Sequence, residues 1–272
     1  MRLRITHETV FSFETPATYA IQTLRLTPRG SAQQYVSDWR IDVSRDCRLA
    51  QIEDPFGNVT TSFSIDGPIE ELSIVASGEV TTEETNGVVA GIPERLPLML
   101  YRRDTALTKP SPAIRGFAEK VRSTVAQNDL AMLHGLMDAL HAHLDIVDAD
   151  GEPDTSADDV FTAGKGSIAD AAHVFVSAAR ALEIPARFVS GYLLRDDGAP
   201  CNAGHAWAEA YAGSGLGWVG FDPSQKICPT DSYVRMASGL DYLDAAPIRG
   251  TRYGGTGETV SVTIRLENAG PF

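Results

Sequence analysis

Gly164-Lys165-Gly166-Ser167-Ile168-Ala169-Asp170-Ala171-Ala172-His173 is the stretch on which the reading of this chain turns. Two glycines and a serine lead into a run in which Ile168, Ala171, Ala172, Phe175, Ala179 and Leu182 share one helical face. Val174, Val176 and Ala178 keep the remaining sides apolar as well. A helix apolar all round is a buried one, so residues 168–182 are expected to run through the middle of a core. Ser167 stands where an N-cap belongs, its hydroxyl free to accept from an orphan amide of the first turn. Pro185 ends the helix, and Ala186 to Leu193 then reads as a strand.

Downstream, His205, Trp207, Glu209 and Tyr211 alternate with Ala206, Ala208 and Ala210, the mark of a strand with two distinct faces. Ala212-Gly213-Ser214-Gly215 turns the chain, and Trp218 to Phe221 returns antiparallel. A turn centred near Ser214 puts Asp222 within a residue of lying opposite His205, so the two side chains are expected to meet.

Upstream, Ala113 to Val125 and Leu130 to Leu144 carry apolar residues at helical spacing, with Leu130, Leu133, Met137, Leu140 and Leu144 on one stripe. Gly91-Ile92-Pro93, Pro97, Pro110 and Pro112 break the pattern before them and mark a linker or wrap. From Met1 to about Val80 the chain reads as short strands: Thr9 to Phe13, Thr23 to Pro28, Trp39 to Val43 and Val59 to Ile65. With the Asp54-Pro55-Phe56-Gly57-Asn58 turn they predict an antiparallel sandwich. Thr259 to Leu266 is one more strand.

In order and spacing, the glycine-bracketed segment, His205-Ala206-Trp207 and Phe221-Asp222-Pro223 resemble the core of the bacterial transglutaminase-like proteins. These are relatives of papain-type cysteine proteases, with a pattern of G-x-G-V-C-Q-D-x-A-H, then H-A-W, then F-D-P. The first half also resembles the N-terminal β domain of that family, and Tyr253-Gly254-Gly255 its C-terminal segment. The resemblance implies an α+β fold: an N-terminal antiparallel β-sandwich over residues 1–95, then a papain-like transglutaminase core over residues 96–272 that includes the C-terminal strand.

The resemblance also implies a catalytic Cys-His-Asp set whose second and third members are His205 and Asp222. A helix N-terminus favours a thiolate, a nearby histidine takes its proton, and an aspartate on the other ring nitrogen holds tautomer and orientation. The nucleophile position, however, is Ile168, which supplies neither nucleophile nor proton, and Ala169 stands where the family has glutamine. The expectation is therefore a catalytically inactive relative that binds a peptide or protein partner in the vestigial cleft, with Ala169, Asp170, Trp207 and Trp218 as binding residues. A scaffold in complex with an active paralogue differs only in what is bound. The alternative is a working hydrolase or acyl transferase with a relocated nucleophile. Ser167, one step of about 100° around the helix, and Cys201, four residues before His205, are the candidates against their plain readings as N-cap and incidental loop thiol. His205 and Asp222 also have a plain reading, a buried pair stabilising a hairpin, and His173 that of a hydrogen-bonded core residue.

Composition narrows the partners. With 272 residues and 43% hydrophobic content the chain is long enough for two domains with real cores. A formal charge of −13 without any lysine- and arginine-rich run argues against nucleic acid or an anionic membrane surface. The charged start and the lack of a long apolar segment predict neither a signal peptide nor a membrane span. Three cysteines, Cys47, Cys201 and Cys228, lack metal-ligand spacing and fit the reducing cytoplasm. No cofactor and no metal is expected; His134, Asp138, His141 and Asp145 share a helical stripe, but solvated helix flanks look the same.

Overall fold

The structure, a computed structural model, describes residues 1–125, 128–147, 155–195 and 202–270. Its N-terminal half is built on two long strands, β1 (Arg2–Thr27) and β4 (Val59–Thr82), with β2 (Gln34–Val43) and β3 (Ala50–Glu53) between them in sequence. A short β5 (Val88–Val89) follows. The helices α1 (Pro112–Thr124) and α2 (Asp129–His143), then β6 (Asp145–Val147), α3 (Ala157–Ala163), β7 (Lys165–Ser167) and α4 (Ile168–Ala181) lead into β8 (Ala186–Leu193), β9 (His205–Tyr211), β10 (Trp218–Phe221) and β11 (Tyr233–Gly239). A single-turn α5 (Tyr242–Ala245), β12 (Ile248–Thr256) and β13 (Thr259–Asn268) complete the described chain.

The expected α+β class is found, and the sandwich is made in an economical way. The short strands expected near residues 9–28 and 59–65 are parts of two continuous strands that pair with each other along almost their whole lengths. Their register slips between Ser12 and Ala17 and again before Tyr19, and such irregularities bend and twist a strand. At this bend a Cβ on Gly67 would lie 2.3 Å from the Ala17 carbonyl oxygen, so only glycine allows the approach. Beyond it the sheet folds over on itself. Leu24, Phe63 and Ile65 from one half pack against Leu72, Ile74 and Ala76 from the other, with Trp39 and Ile41 at the margin.

The proposed division at residue 95 does not describe the strand pairing. β13 pairs with Leu3–Ser12 of β1 and β12 with Thr15–Leu24, so both C-terminal strands belong to the N-terminal sheet rather than to the core. In exchange β5 pairs with β10 at the edge of the core sheet. The reason is edge satisfaction: the hairpin covers one flank of β1 over both halves, which would otherwise present unpaired N–H and C=O groups.

In the core, the five strands run in the order β11-β8-β9-β10-β5, and α4 lies against them with α1, α2 and α3 packed around it. Each helix starts at a side-chain cap: Ser111 with Pro112 behind it, Asn128, Ser156 and Ser167 accept from the backbone amides of Ile114, Ala131, Asp159 and Asp170. Gly164, at φ 67°, ends α3 in the left-handed conformation that glycine tolerates. Every residue from Asp170 to Arg180 is buried, as the all-round apolar pattern requires. Phe175, fully buried, stacks on Phe221 at 5.3 Å. At the far end of α4 the Arg180 guanidinium donates to the carbonyls of Tyr101, Ala186 and Leu240 and to the Thr108 hydroxyl, tying the 101–108 stretch, the start of β8 and the end of β11 to the helix.

Candidate functional site

The open end of α4 is built by its cap. Ser167 Oγ accepts from the Asp170 amide at 3.2 Å while Asp170 Oδ2 accepts from the Ser167 amide and hydroxyl, both at 2.9 Å. A Cβ on Gly166 would sit 2.9 Å from Asp170 Cβ, so glycine there lets this reciprocal cap close. Ile168 and Ala169 are the first two helical residues, each half-buried, and with Tyr242 they pack on Ala172, Phe188 and Ala206. Ala206 directly follows His205. The first-turn amides of α4 have no intrahelical acceptor, so this end of the helix carries its positive partial charge beside the isoleucine.

His205 opens β9 and Asp222 follows β10. The hairpin pairs Trp218 with Tyr211 and Phe221 with Ala208, a register that sets Asp222 opposite Trp207 rather than beside His205 directly. The difference of two residues keeps His205 and Asp222 on one face of the sheet as diagonal neighbours; a slip of one would have sent them to opposite faces. His205 Nε2 donates to Asp222 Oδ2 at 2.6 Å, with both residues buried. A carboxylate only accepts, so Nε2 carries the proton and Nδ1 is the nitrogen left for anything else.

Asp222 is held on every side. Oδ2 also accepts from Tyr233 Oη at 2.8 Å, and Oδ1 accepts from Ser224 N, Ser224 Oγ and Gln225 N. Burial opposes ionisation of Asp222, yet the bonds from His205, Ser224 and Tyr233 outweigh it and hold the carboxyl below its ordinary range. Tyr233 shows the reverse effect: burial and the adjacent carboxylate push its hydroxyl far up. The Tyr233 ring stands edge-on to His205 and to Trp207, each at 5.5 Å. Gly191 pairs with His205 across β8, and a Cβ there would meet the Val234 carbonyl at 2.2 Å and the Trp207 ring at 2.6 Å.

One of the binding residues expected from sequence takes another place. Trp218 lies opposite Tyr211, at the far end of the hairpin and about 20 Å from His205 at 3.4 Å per residue. It covers Arg187, whose guanidinium carbon is 4.1 Å from its ring centroid, and meets Tyr101 at 5.0 Å. Asp170 spends its carboxylate on the helix cap. Trp207 is 2% exposed and lies beside His205 on the same face of β9, ring centroids 6.3 Å apart, while Ala169 stays at the half-buried start of α4.

The other sequence candidates resolve as follows. The Ser167 hydroxyl is buried and donates to Asp170, an N-cap geometry. Cys201 lies outside the described residues. His173 is buried; its Nε2 accepts from the Tyr242 amide at 2.9 Å, and burial lowers its pKa to about 4. His141 bonds the Pro223 carbonyl, His134 stands edge-on to Phe221, Asp138 faces Lys226 and Asp145 faces Lys165. Among the described residues no group of three or more His, Cys, Asp or Glu is placed to hold a metal ion. Tyr233 was missed because no local pattern links it to Asp222. Ser224 was missed as well, although a carboxylate accepting from the amide two residues on is a common turn device that could have pointed to it.

His205→Ala is expected to cost roughly 1–2 kcal/mol, because the other four bonds to Asp222 survive and its charge stays satisfied. Phe175→Ala, which opens a cavity beside Phe221, is expected to cost about 3–5 kcal/mol. Urea unfolding of the two variants checks the order, and a larger loss in the histidine variant would contradict it.

A helix N-terminus facing an antiparallel hairpin that carries a buried His–Asp pair is the site architecture of papain-like acyl-transfer proteins. Residues 3–81 match the family described as the bacterial transglutaminase-like N-terminal region, and residues 115–223 match the transglutaminase-like superfamily core. Over residues 115–223 the chain therefore carries a core of the transglutaminase-like superfamily. An uncharacterized protein of Mycobacterium leprae is 29% identical over 269 residues, 95% of each chain. An uncharacterized protein of Mycobacterium tuberculosis is 26% identical over 277 residues, covering 93% of this chain and 88% of its own. Among solved structures, a protein of Cytophaga hutchinsonii described provisionally as a cysteine protease superposes with a TM-score of 0.80 at 18% identity, over 100% of this chain and 92% of that one. At that identity the likeness is one of fold.

Proposed function

We propose that this protein is a catalytically inactive member of the superfamily that binds an extended peptide or a protein partner in the cleft between the start of α4 and the β9–β10 hairpin. The observation that carries the reading is Ile168 at the first position of α4, where the family pattern has its cysteine. An alkyl side chain cannot attack an acyl carbon, so the His205–Asp222 pair has no protein nucleophile at that position to activate. The capping role of Ser167 counts against a nucleophile displaced by one residue. Free Cys47 and Cys228 are consistent with a reducing, cytoplasmic setting, and no helix among the described residues is long and apolar enough to cross a membrane.

The purified protein is expected neither to cleave peptides nor to incorporate amines into glutamine substrates. Iodoacetamide and fluorophosphonate probes with mass mapping check this. Rapid stoichiometric labelling of Cys201 or Ser167, with turnover that disappears when that residue is replaced, would establish the competing reading of an active hydrolase or acyl transferase. A displayed library of extended peptides panned on the protein and on Ile168→Arg tests the binding half. Peptides captured by the first and lost from the second support the cleft as their site; equal capture by both places it elsewhere.

A further inference from the structure

β11 is an edge strand of the core sheet, and its outer flank is met by side-chain amides from the N-terminal sheet. Gln34 Nε2 donates to the Arg235 carbonyl at 2.8 Å, and its Oε1 accepts from the Arg235 amide at 2.9 Å. Asn58 repeats the arrangement three residues along, donating to the Ser238 carbonyl at 2.7 Å and accepting from the Ser238 amide at 2.8 Å. Each carboxamide thus offers one donor and one acceptor in the manner of a neighbouring strand. Between them the β11 register slips at residues 235–237, which keeps Arg235 and Ser238 both turned outward.

Both amides are buried, Gln34 at 4% and Asn58 at 3% exposure, and both are braced from their own side. Gln34 also donates to the Arg29 carbonyl, and Asn58 donates to Asp54 Oδ2 while its backbone amide binds Asp54 Oδ1. The same seam contains Leu3, Ile5 and Val80 packed on Tyr192, Val234 and Met236, and His7 Nδ1 at 2.8 Å from the Tyr192 hydroxyl. β11 is therefore clamped to the N-terminal sheet through its backbone, and it starts with Tyr233, whose hydroxyl binds the Asp222 oxygen that His205 also uses.

We propose that the N-terminal region is a positioning element for the His205–Asp222 pair, with Gln34 and Asn58 setting β11 and, through Tyr233, the orientation of Asp222. The carboxamides are positioning residues, since neither touches the pair. An amide matches both groups of a peptide unit, whereas a carboxylate in the same shape sets oxygen against the strand carbonyl. The proposal concerns the geometry of the pair and holds whether or not any acyl chemistry occurs in the cleft.

The test reads the imidazole resonances of His205 in protein labelled at histidine, assigned by loss of signal in His205→Ala. Tyr233→Phe provides the direct reference, because it removes the hydroxyl that binds Asp222. Gln34→Glu, and Gln34→Ala in case the buried charge prevents folding, are expected to shift the His205 signals in the same direction as Tyr233→Phe. Ile74→Val, which loosens the N-terminal sheet away from β11, is expected to lower stability and leave those signals in place. If the folded Gln34 variants lose stability while His205 stays at its wild-type shifts, the amides are structural only and the proposal fails. It fails equally if Ile74→Val moves the signals as far as the Gln34 variants do.

Discussion

An Ile168→Cys variant is expected to carry a thiol more acidic than free cysteine and to react with iodoacetamide at neutral pH faster than a free thiol does. The start of α4 supplies unpaired amides and the positive end of its dipole, which together with a histidine–aspartate pair lower cysteine pKa values from about 8.5 to below about 7.5. The thiolate fraction at pH 7 then rises from about 3% to roughly a quarter or more. Cys47 and Cys228 give a contrasting background, since burial pushes the Cys228 thiol up to about 11 and that of Cys47 upward as well. Ile168 packs on Phe188 and Ala206, so shortening it is expected to cost about 1–3 kcal/mol, and unfolding curves must show the variant folded before its thiol is titrated. A folded variant that titrates as a free thiol would show that residue 168 is not at the nucleophile position, and the proposed function would fall with it.

Glu209→Gln is expected to be among the most destabilising single substitutions in the core, at about 3–5 kcal/mol. Glu209 is fully buried, receives Arg187 Nε at 2.6 Å and Arg235 Nε at 2.7 Å, and shares Arg187 with the more exposed Glu94 at 2.9 Å. A glutamine keeps the shape but leaves the buried Arg187 with Glu94 as its remaining anionic partner. Burial opposes the charge on Glu209, yet Arg235 and Arg187 overcome it and lower its pKa to about 2. A carboxylate whose folded pKa is depressed stabilises above its unfolded pKa, and that contribution disappears as pH falls through the folded value. Wild-type stability is therefore expected to drop between about pH 4.5 and pH 2, and the Glu209→Gln curve to be flatter over that window. Urea midpoints measured across this range check both claims; a loss under about 1 kcal/mol, or an unchanged acid limb, would mean that the cluster is less isolated from water than its burial implies.

Much of the site was written locally. Gly164, Gly166 and Ser167 before an all-apolar run specify where α4 begins, because left-handed backbone, close approach and capping are satisfied within a few residues. That placement puts Ile168 first in the helix. The alternation of residues 205–211 likewise identifies a strand and the face that carries His205. Register was less secure, since the exact closure of the 212–217 turn moves Asp222 by one residue, and one residue exchanges the faces of a strand.

The sequence by itself thus determined the buried central helix, the hairpin and the absence of a thiol from the start of that helix, all of which depend on periodicity, capping and residue chemistry over short spans, while its resemblance to the family implied the α+β class. Tertiary structure alone decided that Tyr233 completes the shell of Asp222, that Trp218 serves Arg187 instead of the cleft, that the C-terminal hairpin returns to β1, and that Gln34 and Asn58 clamp β11. These join groups as far apart in sequence as Leu3 and Asn268, where no local spacing records the contact and the pairing is selected only by which edges and buried polar groups are left to satisfy when the core closes.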